Sequence, residues 1–383
     1  MHKNQIPKIL AYYLPAFHEI PENNEWYGKG FTEWDNTKKG CPKFKHHYQP
    51  RIPENNNYYD LTNLDTLRWQ SKIARENKID GFCFYHYWFN GRLILEKPSY
   101  LLLQNKDIDI DFCFAWANEP WRKTWHEGVG DSEMLIDQEY SDPQDWVNHY
   151  NYFREFFLDD RYIKVNNKPL LLIYRLSSIP DFKNKLEIFD EMAKKDGFSG
   201  IQIVNMLTSD MDLQNESIYQ NVDFEPIRTM HTHEAYAFSC WRIKRMLYNK
   251  LVYHNNLSKR IFDTINYKKF YKAIVKHQFK RRENYYHSCF VDWDNTPRKG
   301  NRGVIMKGAS PRIFEHSFKK IYESCTNSND EAKLIFIFAW NEWGEGGYLE
   351  PDEKFGDGYL QAIRRTVENF NEKRINGDEE DTI

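Results

Sequence analysis

Eight short apolar runs recur along this chain, separated by polar stretches with helical periodicity, and this alternation limits the fold more than any other feature. The runs are KILAYYLP (8–15), GFCFYHYWF (81–89), DFCFAWANEP (111–120), PLLLIYRL (169–176), GIQIVNM (200–206), NVDFEPI (221–227), HSCFVDWDN (287–295) and KLIFIFAWNEW (333–343). Strands that are apolar almost without interruption are buried on both faces, which marks a parallel sheet rather than an antiparallel one. Between them, residues 61–78, 143–159, 183–197, 310–325 and 357–373 read as crossover helices. Asp60, Asp142 and Ser310 stand at N-cap positions, and Pro143 and Pro311 follow in the first turn. Eight strands alternating with helices predict an α/β chain folded as a (β/α)8 TIM barrel. A doubly wound sheet is the runner-up, but its fingerprint G-x-G-x-x-G is missing after the first strand.

At 383 residues the chain is long enough for one large barrel. Residues 1–375 are expected to form a single catalytic domain, with two departures from plain alternation. The first βα loop, 18–59, is too long for a simple connection and is expected to act as a lid or binding wall. Residues 241–282, after strand six, carry thirteen Lys or Arg against one acidic residue, interleaved with aromatic rings. They are expected to be a basic helical insertion, read either as a solvated face or as a contact for an anionic membrane surface or a phosphorylated substrate. Residues 376–383 read as a disordered acidic tail.

The charge balance, 53 basic against 56 acidic residues and a net −3, offers no global field for nucleic acid. Nowhere do eighteen apolar residues run together, and residues 1–15 hold no apolar stretch of signal-peptide length. The expected location is therefore cytoplasmic, with 241–282 available for peripheral contact at the inner face of the membrane. Six cysteines are scattered without Cys-x-x-Cys spacing and read as buried free thiols. No Walker loop, G-x-S-x-G elbow, H-x-x-x-H or H-x-D spacing is present, so neither a cofactor nor a metal is expected.

In a barrel of this kind the active site is built at the C-terminal ends of the strands. Those ends are decorated here. Tyr13 and His18, with Tyr12 beside them, follow strand one; Tyr85, His86 and Trp88, with Tyr87 between, end strand two; Trp116, Asn118, Glu119 and Trp121 end strand three. Glu225 follows strand six, Asp292 and Asp294 end strand seven, and Trp340, Asn341, Glu342 and Glu345 end strand eight. With Trp34 from the long loop, these are the candidate substrate-binding positions around a catalytic pair, Glu342 and Glu345. Aromatic residues form 16% of the chain, more than a mainly aliphatic core needs, and flat rings suit the apolar faces of sugars. Breaking a glycosidic bond needs one carboxylic acid to protonate the leaving oxygen and one carboxylate to assist at the anomeric side. Glu342 and Glu345 can share one pocket if the chain turns at Gly344 and Gly346.

Five motifs, GKGFTEWDNTKKG, HYQPRIPENNNYYDL, GFCFYHYWFNGRLILEKP, FAWANEPWRKTW and FAWNEWGEGGYLEPDEKFGDGYLQAI, together resemble the WbsX-type proteins of bacterial surface-polysaccharide clusters. That group is similar to glycoside hydrolase family 99. The resemblance spans roughly residues 8 to 370 and implies a (β/α)8 barrel acting on α-linked sugars with retention, the sugar's own 2-hydroxyl attacking the anomeric carbon. The family's W-N-E-W-x-E-G segment matches Trp340 to Gly346 residue for residue. It implies Glu342 as the base on the 2-hydroxyl and Glu345 as the general acid that then activates the acceptor. The substrate so implied is an oligosaccharide or polysaccharide, with a lipid-linked glycan among the candidates. Three other readings stay open: transfer from an activated sugar donor in O-antigen or capsule biosynthesis, a glycan-binding barrel without catalysis, and a lipid-surface scaffold built on 241–282. A different pairing, Glu119 with Glu342, also stays open, because Asn118-Glu119-Pro120 after a strand is like the acid/base segment of many retaining barrel glycosidases.

Overall fold

A computed structural model describes residues 6–123, 133–213, 219–231, 247, 250–251, 262–279 and 284–380, with side chains to residue 372. Eight parallel strands close into a barrel: β1 (Lys8–Tyr13), β2 (Gly81–Phe89), β3 (Asp111–Trp116), β4 (Lys168–Ile173), β5 (Gln202–Leu207), β6 (Gln220–Asp223), β7 (Tyr285–Phe290) and β8 (Leu334–Phe338). The seam is β1, whose Leu10 to Tyr13 run beside Gly81 to Phe84 of β2 and whose Lys8 to Ala11 run beside Leu334 to Ile337 of β8. Closure leaves no long unpaired sheet edge, and each strand can then be apolar on both faces.

In chain order the helices are α1 (Pro21–Tyr27), α2 (Glu33–Lys38), α3 (Leu64–Glu76), α4 (Lys97–Gln104), α5 (Pro143–Phe157), α6 (Phe182–Lys195), α7 (Ile227–His231), α8 (Tyr267–Phe279), α9 (Thr296–Lys299), α10 (Pro311–Thr326) and α11 (Gly358–Glu380). Asp142 caps α5, its side chain accepting from Gln144 N at 2.8 Å. One of the expected caps is displaced and another holds its place. Asn63 rather than Asp60 caps α3, accepting from Asp65 N; Asp60 is already committed to Thr62 N and Oγ1 in the turn before. Ser310 stands at the N-cap of α10 without a side-chain bond, and Pro311 supplies the start. Residues 376–380, expected in a disordered tail, are instead the last turns of α11, since lengthening a formed helix needs no new nucleus.

Of the basic segment 241–282, residues 241–246, 248–249, 252–261 and 280–282 lie outside the described ones. The stretch 267–279 belongs to the barrel itself rather than to an insertion. It is α8, between β6 and β7, burying Tyr267, Phe270, Tyr271 and Ile274 while Lys268, Lys269, Lys272 and Lys276 stay exposed. Tyr271 stacks on Phe290 of β7 at 5.0 Å between ring centres. Cys83, Cys113, Cys289 and Cys325 are buried free thiols; Cys41 is free but exposed, and Cys240 lies outside the described residues. No helix among the described residues is long and apolar enough to cross a membrane.

Inside the barrel, Tyr12 meets Tyr85, Phe224 and Phe336. On the outside, β2 and β3 lay His86, Phe114 and Trp116 against α5, where Trp146, His149, Tyr152, Phe153 and Phe156 receive them. Strand alternation thus sends Tyr85 and Tyr87 to the lumen side and His86 and Trp88 to the helices.

Candidate active site

Beyond Phe338, at the C-terminal mouth of the barrel, the chain makes a small hairpin. Asn341–Glu342 pairs with Gly347–Tyr348 around a one-turn 3₁₀ segment, Trp343–Glu345. This brings Glu342 and Glu345 to one side of a tight turn. Gly346 closes it at φ +70°, in the left-handed region that glycine enters without strain. Gly344 is needed for another reason: a Cβ there would stand 2.3 Å from Glu33 Oε1 and 2.9 Å from Arg298 Nε. Behind the turn, Glu350 is buried and accepts from Trp343 Nε1 (2.6 Å), Tyr59 Oη (2.8 Å) and Gln70 Nε2 (2.6 Å), so the turn is held from both sides.

Arg298, on α9 just after β7, reaches three carboxylates. Its Nε donates to Glu33 Oε1 at 2.7 Å, Nη2 lies 3.0 Å from Glu342 Oε2, and Nη1 lies 3.1 Å from Glu345 Oε1. One guanidinium therefore spans Glu342, Glu345 and a third acid supplied by α2 of the long loop. Burial pushes the Glu342 carboxyl up to about 8; the Arg298 cation opposes that, and the nearby Glu345 and Glu33 charges add to it. Burial also raises Glu33, again against Arg298. The segment carrying Glu33 starts with a capping box, Thr32 Oγ1 accepting from Trp34 N and Asp35 Oδ2 from Thr32 N.

These carboxylates open into a cavity of about 550 Å³ at the barrel mouth. Tyr85, Tyr87, Tyr174 and Phe224 wall it from the strands, while Tyr27 and Phe31 come from the long loop. Glu119 and Trp121 also line it. Glu119 is turned to Arg175 Nε at 2.5 Å, with nearly half of its side chain exposed at the rim. Of the residues singled out from sequence, Glu342, Glu345, Tyr85, Glu119 and Trp121 thus meet at one cavity. Glu33, Arg298, Tyr174 and Phe224 were missed, and Arg298 carried no signal in the sequence.

The remaining candidates do structural work elsewhere. Tyr13 faces α3 and donates to Gln70 Oε1 at 2.7 Å, leaving Tyr12 as the inward ring of that pair. His86 and Trp88 lie outside the barrel: the His86 and His149 Nε2 atoms are 2.8 Å apart, and Trp88 Nε1 donates to Asp145. Burial pushes His86 down to about 3, as it does His18 to about 4, where Asp60 opposes the shift. His18 is buried and away from the cavity lining. Trp116 packs outward on Trp146, and Asn118 fastens β3 to β4 by donating to Arg175 O and accepting from Arg175 N. Trp34 packs behind the turn against Trp343, the rings tilted at 51°, and donates to Tyr59 O. Trp340 packs on Phe82, and Asn341 exchanges bonds with Leu14 N and O. Glu225 accepts from Thr229. Asp292 holds Arg51 at 2.9 Å, and Asp294 holds His47 and Gln49, which pins the long loop to the end of β7. Among the described residues, no group of three or more His, Cys, Asp or Glu is placed to hold a metal ion.

The model of the family described as Glycosyltransferase WbsX matches residues 9–363. The chain belongs to the WbsX family. This WbsX-family chain is 32% identical over 364 residues to the WxcX protein of Xanthomonas campestris pv. campestris strain B100, and 32% identical over 361 residues to that of strain ATCC 33913. The alignments cover 94% of this chain and 49% of each relative, so the chain spans about half the length of the curated relatives it matches. Among solved structures, the endo-α-mannosidase of glycoside hydrolase family 99 from Bacteroides thetaiotaomicron superposes with a TM-score of 0.58 at 14% identity, covering 97% of this chain and 99% of that one. A glycoside hydrolase-like protein superposes at 0.56 with 13% identity, covering 96% and 95%. Both likenesses are of fold, a (β/α)8 barrel.

Proposed function

We propose that this WbsX-family chain breaks or transfers an α-linked glycosidic bond with retention, acting on an oligosaccharide or polysaccharide in bacterial surface-polysaccharide metabolism. The observation that carries the reading is the pair Glu342 and Glu345 in one aromatic-walled cavity, spanned by a single guanidinium. In this reading Glu342 takes the proton of the sugar's 2-hydroxyl as that oxygen closes onto the anomeric carbon, and Glu345 gives a proton to the departing oxygen. Glu345 then removes a proton from the incoming acceptor, which opens the strained ring and returns the 2-hydroxyl its proton from Glu342. The two inversions leave the configuration retained. Water as acceptor makes the chain a hydrolase, and a sugar hydroxyl makes it a transferase with the same residues. The family's description, Glycosyltransferase WbsX, favours the second acceptor. Lipid linkage of the glycan and membrane contact through 241–282 belong to the same proposal.

Incubation with a panel of α-linked glycans, with and without sugar-nucleotide donors, and mass spectrometry of the products tests it. Release without a donor supports hydrolysis, extension from a glycan donor supports transglycosylation, and extension only with a nucleotide donor replaces the proposed mechanism. No change in any glycan would remove the enzymatic reading.

A base must be deprotonated to act, and burial pushes the Glu342 carboxyl up to about 8. One of the two apparent pKa values that bound the pH profile of kcat/KM is therefore expected near 8, above the ordinary carboxylate range. A profile with no inflection between about pH 7 and pH 9 would show that Glu342 is not held there. Gly344→Ala is expected to lower kcat about 10²-fold, because its methyl group displaces Glu33 and Arg298 from the turn. Steady-state rates at matched thermal midpoints check this.

A further inference from the structure

Arg298 reaches the hairpin from a separate element, and the elements around it are built to hold it there. Asp294 Oδ1 accepts from Thr296 N and Oγ1, which sets the start of α9. Asp294 N donates to Glu345 O at 2.7 Å, tying the strand-seven end to the catalytic turn. Only 13% of the Arg298 side chain is exposed, and Glu33 beside it is 5% exposed. No side chain at position 344 lies between them and the turn.

We infer that Arg298 is the positioning residue of the reacting pair, and that Glu33, carried by the long first loop, holds Arg298 so that the loop completes the active centre. This rests on the reading of Glu342 and Glu345 as the reacting carboxylates. The guanidinium is planar and presents its three donor edges in fixed directions. With Nε committed to Glu33, Nη1 and Nη2 face Glu345 and Glu342, so the spacing of the two acids is set by one rigid group instead of two flexible side chains. A lysine would bring the charge but not the fork. The cation also stands against the three carboxyl groups collected here, and removing it or removing Glu33 changes the charge beside Glu342 in opposite senses. Loss of Arg298 favours the protonated form of Glu342; loss of Glu33 favours the ionised form.

The test compares wild type with Arg298→Met, Arg298→Lys and Glu33→Gln in the full chain. The titration of Glu342 is followed by carboxyl ¹³C NMR, its signal assigned by its disappearance in Glu342→Gln, and kcat and KM are measured on whichever glycan the wild type turns over. Arg298→Met should move the Glu342 titration to higher pH and Glu33→Gln to lower pH. Arg298→Met should also lower kcat about 10²-fold with KM changed much less, and Arg298→Lys should restore the titration but only part of kcat. Titration curves that coincide with wild type, or move the same way in both variants, would overturn the inference. Thermal midpoints screen the variants for folding, with Arg298→Lys carrying the kinetic comparison should Arg298→Met prove unfolded. The NMR result does not depend on turnover, so a wild type inactive on every glycan would count against the proposed function and leave this inference to be decided by the titration.

Discussion

Glu345→Gln is expected to lower kcat/KM on glycans about 10²–10⁴-fold, the range that a positioned proton donor contributes. The amide keeps the shape of the turn and its contact side toward Arg298 but cannot protonate a departing oxygen. Substrates with good leaving groups need no such proton, so an aryl glycoside of low leaving-group pKa should recover most of the first-step rate in this variant. Glu342→Gln is expected to fall as far and to show no such recovery, because the proposed role places it on the sugar's own hydroxyl. The contrast separates the two roles. Should Glu345→Gln keep full activity while Glu119→Gln is dead, the reacting pair would be Glu119 with Glu342 instead, although Glu119 is engaged with Arg175 at the rim.

The largest expected loss of stability comes from Asp294→Ala, about 3–5 kcal/mol, read as a lower thermal midpoint and faster hydrogen exchange across residues 44–53. Asp294 is fully buried and accepts from His47 Nε2 (2.7 Å), Gln49 Nε2 (2.6 Å), Thr296 N (3.1 Å) and Thr296 Oγ1 (2.6 Å). Removing the acceptor leaves several buried donors unmet at once. Burial by itself raises the Asp294 carboxyl, but the bonds from His47 and the Arg51 charge outweigh it and hold the group below its ordinary value. Its contribution is therefore complete above the unfolded carboxylate range and is lost as pH falls through the folded value. The gap between wild type and Asp294→Ala should accordingly narrow in acid. A gap that stays constant from pH 7 to pH 3, or a variant as stable as wild type, would show that Asp294 does not anchor the loop.

The architecture was legible because the signals that specify it are local. Eight apolar runs separated by helical stretches give the strand count, and each lies where a barrel strand is found. The turn that carries the two glutamates was legible too, since Glu342, Glu345 and the two glycines between and after them occupy five consecutive positions. The choice between His86 and Tyr87, or Tyr12 and Tyr13, was not. A strand buried on both faces has no alternation of apolar and polar residues, so its phase cannot be read before its register in the closed sheet is known.

Charge partners at long range were equally illegible. Glu33 and Arg298 are 265 residues apart, and each sits in a polar stretch where a solvated surface is the ordinary expectation. Only folding the first loop over the barrel mouth, beside the end of strand seven, removes both from water and sets them against the glutamates of the last strand. The chain's order of residues determined a parallel barrel with two acids at its rim. Which rings face those acids, and which cation governs them, was decided by closure of the sheet and the docking of the loop, because inward direction and burial exist only once distant segments meet.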